Sequence, residues 1–502
     1  MNNPLNYQNQ YVRRLIFCVF LFLFFWHFLL PIWDIDLWWH MASGRWILEN
    51  NSLPSSDPFS VFSAQNKIRT DIVLKGQWLG QVILYKIYNY FSDDGLVIFR
   101  SLLLSAFLLL TYIRAKLLGL SEPTSLFLVC MIGFNLFGFT GLRPQLFGFG
   151  FALFVFLLID WVEKTGKIKC LLLLPAIAIA WANTHGSFIL GIVLLLMYSI
   201  LNIFEHKFKQ NKLQKRLNIL LICAVAFTLF SYINPNGFQA VRYIFELQIS
   251  DLQSRTSEYT SSLKIYTLGY SLAQFWIYLF YGLTLISLPS LFRLSPGKAI
   301  ITLFLGAISL DSFRYYLFFI LISGPYVMQA IMQYDKIQKC TKPLLVINPL
   351  KYILSFIILF GTFILLQTNY KTASIPHNIN ASRYPIVLSR HCSDENLRGY
   401  MFNYFGWGGY LIWNLYPDIK PYIDGRMLDD SKLDKYMNIL WATKEGIQYF
   451  KNEHFDYVMI PYFKPGTKQV YALNLYLQNQ VDWTAIYRGN HGLPYRKTGV
   501  LK

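Results

Sequence analysis

The feature that most constrains this chain is a succession of apolar runs broken by short polar loops. Most runs reach the length that crosses a bilayer as a helix, about 17 residues or more. They fall at 15–33, 95–113, 124–140, 146–162, 170–183, 188–204, 217–233, 272–292, 299–313, 316–333 and 350–367. The pair 170–183 and 188–204 also reads as a hairpin whose tip dips into the membrane. Composition agrees: 54% of residues are hydrophobic and only 14% are charged, against about 25% charged in a soluble domain. The expected fold is an α-helical polytopic membrane protein of about eleven spans, residues 1–367, followed by an extracytoplasmic α/β domain, residues 368–502.

The charges set the orientation. The net charge of +18 would suggest nucleic acid in a soluble protein, but here the cations lie in short loops. With the N-terminus inside, the inner loops carry Arg114 and Lys116, then Lys164, Lys167 and Lys169, then Lys207, Lys209, Lys212, Lys215 and Arg216. Later inner loops hold Arg293 with Lys298, and Lys336, Lys339 and Lys342. The short outer loops hold little more than Arg143 and Arg314. That asymmetry predicts a multi-pass protein of the cell (inner) membrane, N-terminus cytoplasmic and residues 368–502 outside. Membrane lipid is the expected environment, and nucleic acid is not an expected partner. Arg13 and Arg14 precede a first run that is long enough to span and has no small-residue cleavage site, so it reads as an anchor. The six cysteines are scattered without a C-x-x-C pair, which implies neither a disulfide framework nor a thiolate metal site.

Two outer segments carry the information. Residues 33–94 start with Trp33-Asp34-Ile35-Asp36-Leu37-Trp38-Trp39-His40 and continue to an apolar, Tyr-rich stretch, Trp78 to Tyr90. The helical spacing of that stretch is compatible with a helix lying flat on the membrane surface. In the C-terminal domain, YLIWNLY, PYIDG, FDYVMIPYF and WTAIYR read as strands and 431–452 as a helix, giving a small sheet covered by helices.

Two carboxylates at the end of a spanning helix are costly unless paired, hydrated or bound to a cation. Asp34 and Asp36 could hold a hard divalent ion, Mg²⁺ or Mn²⁺, which would neutralise a leaving phosphate; alternatively one could deprotonate an acceptor. The competing reading is a solvated border loop with Trp anchors. Arg143 suits phosphate, because guanidinium matches its oxygens with paired hydrogen bonds; the alternative is a snorkelling arginine. Arg314, near Asp311, has the same two readings. His185 could accept a proton or bind a sugar, or simply be a satisfied interfacial histidine. Asp424 and Arg426 read as a turn with an internal ion pair.

The first outer loop, DIDLWWHMASGRWILENNSLPSSDPFSVFS, resembles that of bacterial multipass proteins of the GT-C glycosyltransferase class, through Asp34, Asp36, Trp38, Trp39, His40, Gly44, Trp46, Ile47, Pro54, Asp57, Pro58, Phe59 and Ser60. In the following GQWLGQ, Gln77 stands where similar sequences more often carry Glu. Leu142-Arg143-Pro144-Gln145, Trp181-Ala182-Asn183-Thr184-His185-Gly186-Ser187, the run Trp407 to Trp413, and Ile423-Asp424-Gly425-Arg426 extend the resemblance over nearly the whole chain. It implies transfer of a sugar from a polyprenyl-phosphate carrier to an extracytoplasmic glycan, lipid or protein acceptor. Asp34 and Asp36 would be catalytic or metal-binding, Glu258 a further metal ligand by analogy of position, and Arg143, His185, Arg314 and His40 substrate contacts. Trp407 to Tyr410 lacks the Asp of the acceptor-binding motif of oligosaccharyltransferases. A glycan polymerase or ligase, a transporter or flippase, and a non-catalytic assembly protein on the same scaffold are the competing functions. A transporter is disfavoured because the two halves do not resemble one another. No nucleotide-binding glycine loop occurs, as expected if the donor arrives activated from the bilayer.

Overall fold

The computed structural model describes residues 4–60, 67–206, 211–242, 260–264, 271–333, 379, 383–487 and 492–499. Helix α1 (Pro4–Phe28) is followed by an outer segment holding α2 (Leu37–Asn50), α3 (Lys67–Lys75) and the first part of α4 (Trp78–Leu117). Helix α4 bends at Ser92, whose φ of 54° and ψ of −154° are not helical. Trp78 to Tyr90 is thus helical, as its spacing predicts. Then come α5 (Glu122–Asn135), α6 (Gln145–Thr165), α7 (Leu174–Thr184), α8 (Phe188–His206), α9 (Asn211–Ser231), α10 (Ser271–Leu294), α11 (Pro296–Asp311) and α12 (Tyr316–Met332).

Each of the expected apolar runs up to 316–333 falls on a helix; the run 350–367 and the boundary at 367/368 lie outside the described residues. Among the described residues, four helical stretches are both long and apolar enough to cross a membrane: Ile68–Leu117, Gln145–Thr165, Gln274–Leu294 and Phe313–Met332. Arg14–Phe28, Ile168–Thr184, Phe188–Ile203 and Asn218–Ser231 are apolar but shorter. The architecture is therefore a helical membrane type, with four spans that qualify by length and composition among the described residues.

The helices close around α12, where Leu317 to Ile322 are all buried. Pro325 inside α12 has no N–H, so the Leu321 carbonyl loses its ordinary helical donor. Arg114 supplies one: its guanidinium donates to Leu321 O at 2.7 Å and to Ile322 O at 3.2 Å. The same guanidinium pairs with Asp160 at 2.6 Å, and Tyr326 donates to Asp160 at 2.8 Å. Arg114, counted above among loop cations, is thus a fully buried bolt between α4, α6 and α12.

The C-terminal region carries a five-stranded mixed sheet of order β2-β1-β3-β5-β4. The strands are β1 (Gly399–Asn403), β2 (Ile419–Pro421), β3 (Tyr457–Ile460), β4 (Trp483–Ala485) and β5 (Leu493–Lys497). Strand β1 runs parallel to β2 and β3, while β5 is antiparallel to β3 and β4. FDYVMIPYF and WTAIYR supply β3 and β4, whereas β2 lies just before PYIDG and shares only Pro421 with it. Two further expectations need correction. YLIWNLY is helical, within α14 (Gly408–Leu415), which follows α13 (Ile386–Asp394). Its buried Leu411, Ile412 and Leu415 recur at helical spacing, and a short apolar run of this kind fits either element. The helix expected at 431–452 is two, α15 (Asp430–Leu440) and α16 (Lys444–Asn452). They are separated at Ala442 (φ 50°) and restarted by Thr443, whose hydroxyl accepts from Gly446 N at 3.0 Å. One further helix, α17 (Ala472–Gln478), precedes β4.

Candidate active site

The chain leaves α1 at Phe28 and turns into α2 through residues 29–36. At the end of this turn, Asp34 Oδ1 accepts from the backbone N–H of Asp36 at 3.0 Å, a local Asx-type bond. Asp34 is 1% exposed, and its main-chain carbonyl accepts from Tyr384 Oη at 2.9 Å. Asp36, the residue before α2, accepts from Trp39 Nε1 at 3.1 Å through Oδ1.

The other oxygen of each carboxylate meets Arg143, which lies 109 residues beyond Asp34 just before α6. Its Nε sits 2.6 Å from Asp34 Oδ2 and its Nη2 3.0 Å from Asp36 Oδ2. One planar guanidinium therefore bridges both acids, a geometry an ammonium cannot reproduce. Asp36 is 16% and Arg143 23% exposed at the side chain, so both keep an edge in solvent. Two glycines permit this packing. A side chain at Gly141 would collide with Asp34 Oδ2, and one at Gly425 with Asp36 Oδ1.

Below the pair, the first part of α4 brings Gly80 against Pro144 and the Thr184 carbonyl, joining the starts of α4 and α6 to the end of α7. Gln81, fully buried, sets its amide nitrogen 3.4 Å from His40 Nδ1. His185 Nδ1 accepts from Ser187 N at 3.1 Å, and Trp181 Nε1 donates to Ser187 Oγ at 2.9 Å. Asn183 ties the same corner, accepting from Trp78 Nε1 at 2.7 Å and donating to Ile233 O at 2.8 Å.

His40 is held well below the ordinary imidazole value, first by burial and then by Arg143 and His185. It is a neutral ring tilted by 33° against Trp39, centroids 3.5 Å apart. The sign of the pH effect follows. A histidine whose folded value is depressed leaves stability intact above 6.5 and removes it as pH falls below that value. Thermal unfolding between about pH 5 and 8 should show this decline, and it should be shallower in His40→Gln. An unchanged slope in that variant would contradict a buried neutral ring.

The C-terminal domain roofs the site. Helix α14 packs on α2, with Gly409 against the Ile35 carbonyl, and Tyr410 and Tyr384 sit edge-on to Trp38 at 4.9 and 5.4 Å. Arg426, wholly buried, forms two forks. It pairs with Asp57 at 2.5 and 3.2 Å and with Asp424 at 2.7 and 2.7 Å. The internal Asp424–Arg426 pair expected from sequence is present, and Asp57 of the first outer loop completes it.

The structure thus brings Asp34, Asp36 and Arg143 into direct contact, with His40 and His185 beside them. Arg314 lies on the turn Phe313–Tyr315; the ring of its neighbour Phe313 lies 4.6 Å from that of Phe139, tilted by 32°, four residues before Arg143. Glu258 lies outside the described residues. Sequence reasoning missed Gln81, Tyr384 and the Asp57–Arg426 fork. Gln81 had a signal, as an uncharged polar residue inside an apolar helical run.

The expected Mg²⁺ or Mn²⁺ does not fit the described residues as they stand. Such an ion needs several oxygens at about 2.1 Å, yet the four carboxylate oxygens of Asp34 and Asp36 each already face a donor, and the positive guanidinium of Arg143 lies between the two acids. Among the described residues no group of three or more His, Cys, Asp or Glu is placed to hold a metal.

No protein-family model matches the sequence, and no curated protein matches it by sequence. Solved structures do match by fold. The apo oligosaccharyltransferase of Archaeoglobus fulgidus aligns at TM-score 0.56 and 10% identity, covering 85% of this chain and 66% of that one. AglB, the oligosaccharyltransferase of the same archaeon, in complex with an inhibitory peptide and a dolichol-phosphate, aligns at 0.55 and 9% identity, covering 90% and 70%. The A. fulgidus enzyme tethered to an acceptor peptide containing the NVT sequon aligns at 0.54 and 11%, covering 89% and 69%. The chain spans about two thirds of the length of these structures. The chain shares the fold of these oligosaccharyltransferase structures.

Proposed function

We propose that the chain is a membrane glycosyltransferase that moves a sugar from a polyprenyl-phosphate-linked donor to an acceptor outside the cytoplasm. The observation that carries this reading is the Asp36–Arg143 pair. It is a partly exposed carboxylate and guanidinium at helix ends roofed by the C-terminal domain, within a fold whose solved examples include one holding dolichol-phosphate and a peptide. The cell membrane, with the N-terminus inside, is the location the loop charges support.

In this reading the roles divide by exposure. Asp34 is too buried to touch a substrate; it orients Arg143. Asp36 is the carboxylate an acceptor can reach. The acceptor's O–H or N–H proton passes to Asp36, its heteroatom bonds to the anomeric carbon, and the bond from that carbon to the phosphate oxygen breaks. The lipid phosphate leaves with both electrons and is met by Arg143. His185 flanks the pair as a hydrogen-bonding group for sugar hydroxyls, while His40, nearly as buried as Asp34, packs behind it as a positioning residue. Asp424 and Arg426 fix the roof.

Purified protein in proteoliposomes, given polyprenyl-phosphate sugars and extracts of extracytoplasmic acceptors, should transfer sugar from a lipid donor and from no nucleotide sugar. Transfer from nucleotide sugars instead, or donor consumption only by flipping across the bilayer, would overturn the reading.

A further inference from the structure

We infer that the guanidinium of Arg143 is the resident cation of this site, occupying the place between Asp34 and Asp36 that a divalent ion would take, so that the site works without a divalent metal. This deepens the glycosyltransferase reading, which it needs only for what the cation does; where the cation sits rests on geometry alone.

Three observations converge. First, Arg143 addresses both acids with two different nitrogens, Nε at 2.6 Å and Nη2 at 3.0 Å. That is a chelating geometry, with a charge of +1 lying between two of −1. Second, the other oxygens already have donors. Asp34 Oδ1 accepts the Asp36 N–H and Asp36 Oδ1 accepts Trp39 Nε1. Both bonds hold the second oxygen of each acid toward Arg143, so a divalent cation between the acids would have to displace the guanidinium. Third, the backbone packs closely on one oxygen of each acid. Gly141 lies against Asp34 Oδ2 and Gly425 against Asp36 Oδ1, so closely that a methyl group at either would clash. Asp34 is further fixed by Tyr384 on its carbonyl.

A guanidinium here supplies what a metal would for a departing phosphate. It offers positive charge and directed donors, and its 23% exposure leaves it an edge in solvent. It also keeps the two acids from repelling each other in the substrate-free state, which a metal-dependent site leaves to the metal.

The test is Mn²⁺ binding followed by electron paramagnetic resonance on the purified full-length protein in detergent, without substrate. In the wild-type background, Asp36→Asn should leave the Mn²⁺ isotherm unchanged, because Arg143 already occupies the place between the acids. Arg143→Ala should gain Mn²⁺ affinity at least about tenfold, the effect of deleting one contact charge, and adding Asp36→Asn should abolish the gain. Wild-type Mn²⁺ binding that Asp36→Asn removes would overturn the inference, and so would an Arg143→Ala variant that gains nothing. If Arg143→Ala fails to fold, the wild-type and Asp36→Asn comparison decides alone. Should transfer be found, chelation by EDTA is expected to leave its rate within about twofold, and a loss reversed by Mn²⁺ would refute the inference while leaving the glycosyltransferase reading standing. Absence of transfer would refute that reading and leave the Mn²⁺ result intact.

Discussion

Arg426→Met is expected to destabilise the protein by about 3–5 kcal/mol, the cost of leaving buried charge unpaired. Arg426 has no exposed side-chain surface and neutralises two carboxylates that are themselves nearly buried, Asp57 at 3% and Asp424 at 6%. Burial would lower the Arg426 pKa, but Asp424 and then Asp57 more than reverse that, and it lies above the ordinary value. Methionine fills the space and removes the charge, so both acids remain behind without their partner. Lysine should restore little, since one ammonium cannot make two forks. The exposed pair Arg398–Asp418, 3.1 Å apart with 78% and 55% of the side chains in solvent, is the control. Arg398→Ala should shift stability by no more than about 0.5 kcal/mol. Thermal unfolding of the solubilised protein and the protease sensitivity of residues 383–487 measure both effects. A small Arg426→Met shift, equal to that of Arg398→Ala, would show that the fork is not what joins the first outer loop to the roof.

The same fork predicts acid sensitivity. Burial alone would raise the Asp57 pKa, but Arg426, Ser60 and the Phe59 N–H outweigh it and hold the group below 3.8. A depressed carboxylate contributes stability that is complete above its unfolded value and is lost as pH falls through the folded one. The fork should therefore be indifferent to pH near neutrality and loosen only in acid below 3.8. His40, by contrast, weakens the site from 6.5 downward.

What was legible in the sequence was local. The Asp-x-Asp spacing places two carboxylates at the entrance to α2, and the apolar periods mark the helices. Asp57 reads as a turn residue and is one, accepting from Phe59 N at 3.0 Å. Its second role depends on Arg426, 369 residues away, which no local pattern encodes. Likewise Asp34 and Asp36 are equivalent in the sequence and unlike in the structure. Tyr384 and Gly141 seal one, while Asp36 keeps an edge in solvent. Arg114 reads as a loop cation because it ends an apolar run. Its burial follows from a carbonyl that Pro325 orphans two hundred residues later. In the C-terminal domain YLIWNLY was misread because its partner surface is α2, which only the tertiary fold brings near.

Asp36→Asn is expected to lower sugar transfer by roughly 10²–10⁴-fold, the range of a general base or a charge stabiliser, while leaving normal amounts of membrane-inserted protein. The amide still accepts from Trp39 Nε1 at the same position, and Asp36 is exposed enough that losing its charge costs little in stability. Asp34→Asn should behave differently. Its carboxylate is buried and holds Arg143 Nε, so neutralising it leaves the guanidinium tethered at one side only. The expected result is a loss of both stability, about 1–3 kcal/mol, and donor affinity, seen as a raised KM for the lipid-linked sugar. Arg143→Lys keeps the charge but cannot reach both acids at once. It should lower kcat more than it raises KM, because a guanidinium that meets a leaving phosphate acts mainly as charge develops. These three signatures separate the roles that exposure assigns. Asp36→Asn would then be a rate defect, Asp34→Asn a stability and binding defect, and Arg143→Lys a rate defect without misfolding. Wild-type turnover in Asp36→Asn would remove the carboxylate from the chemistry. Equal loss of expression in all three would mean that the Asp34–Asp36–Arg143 unit serves folding alone.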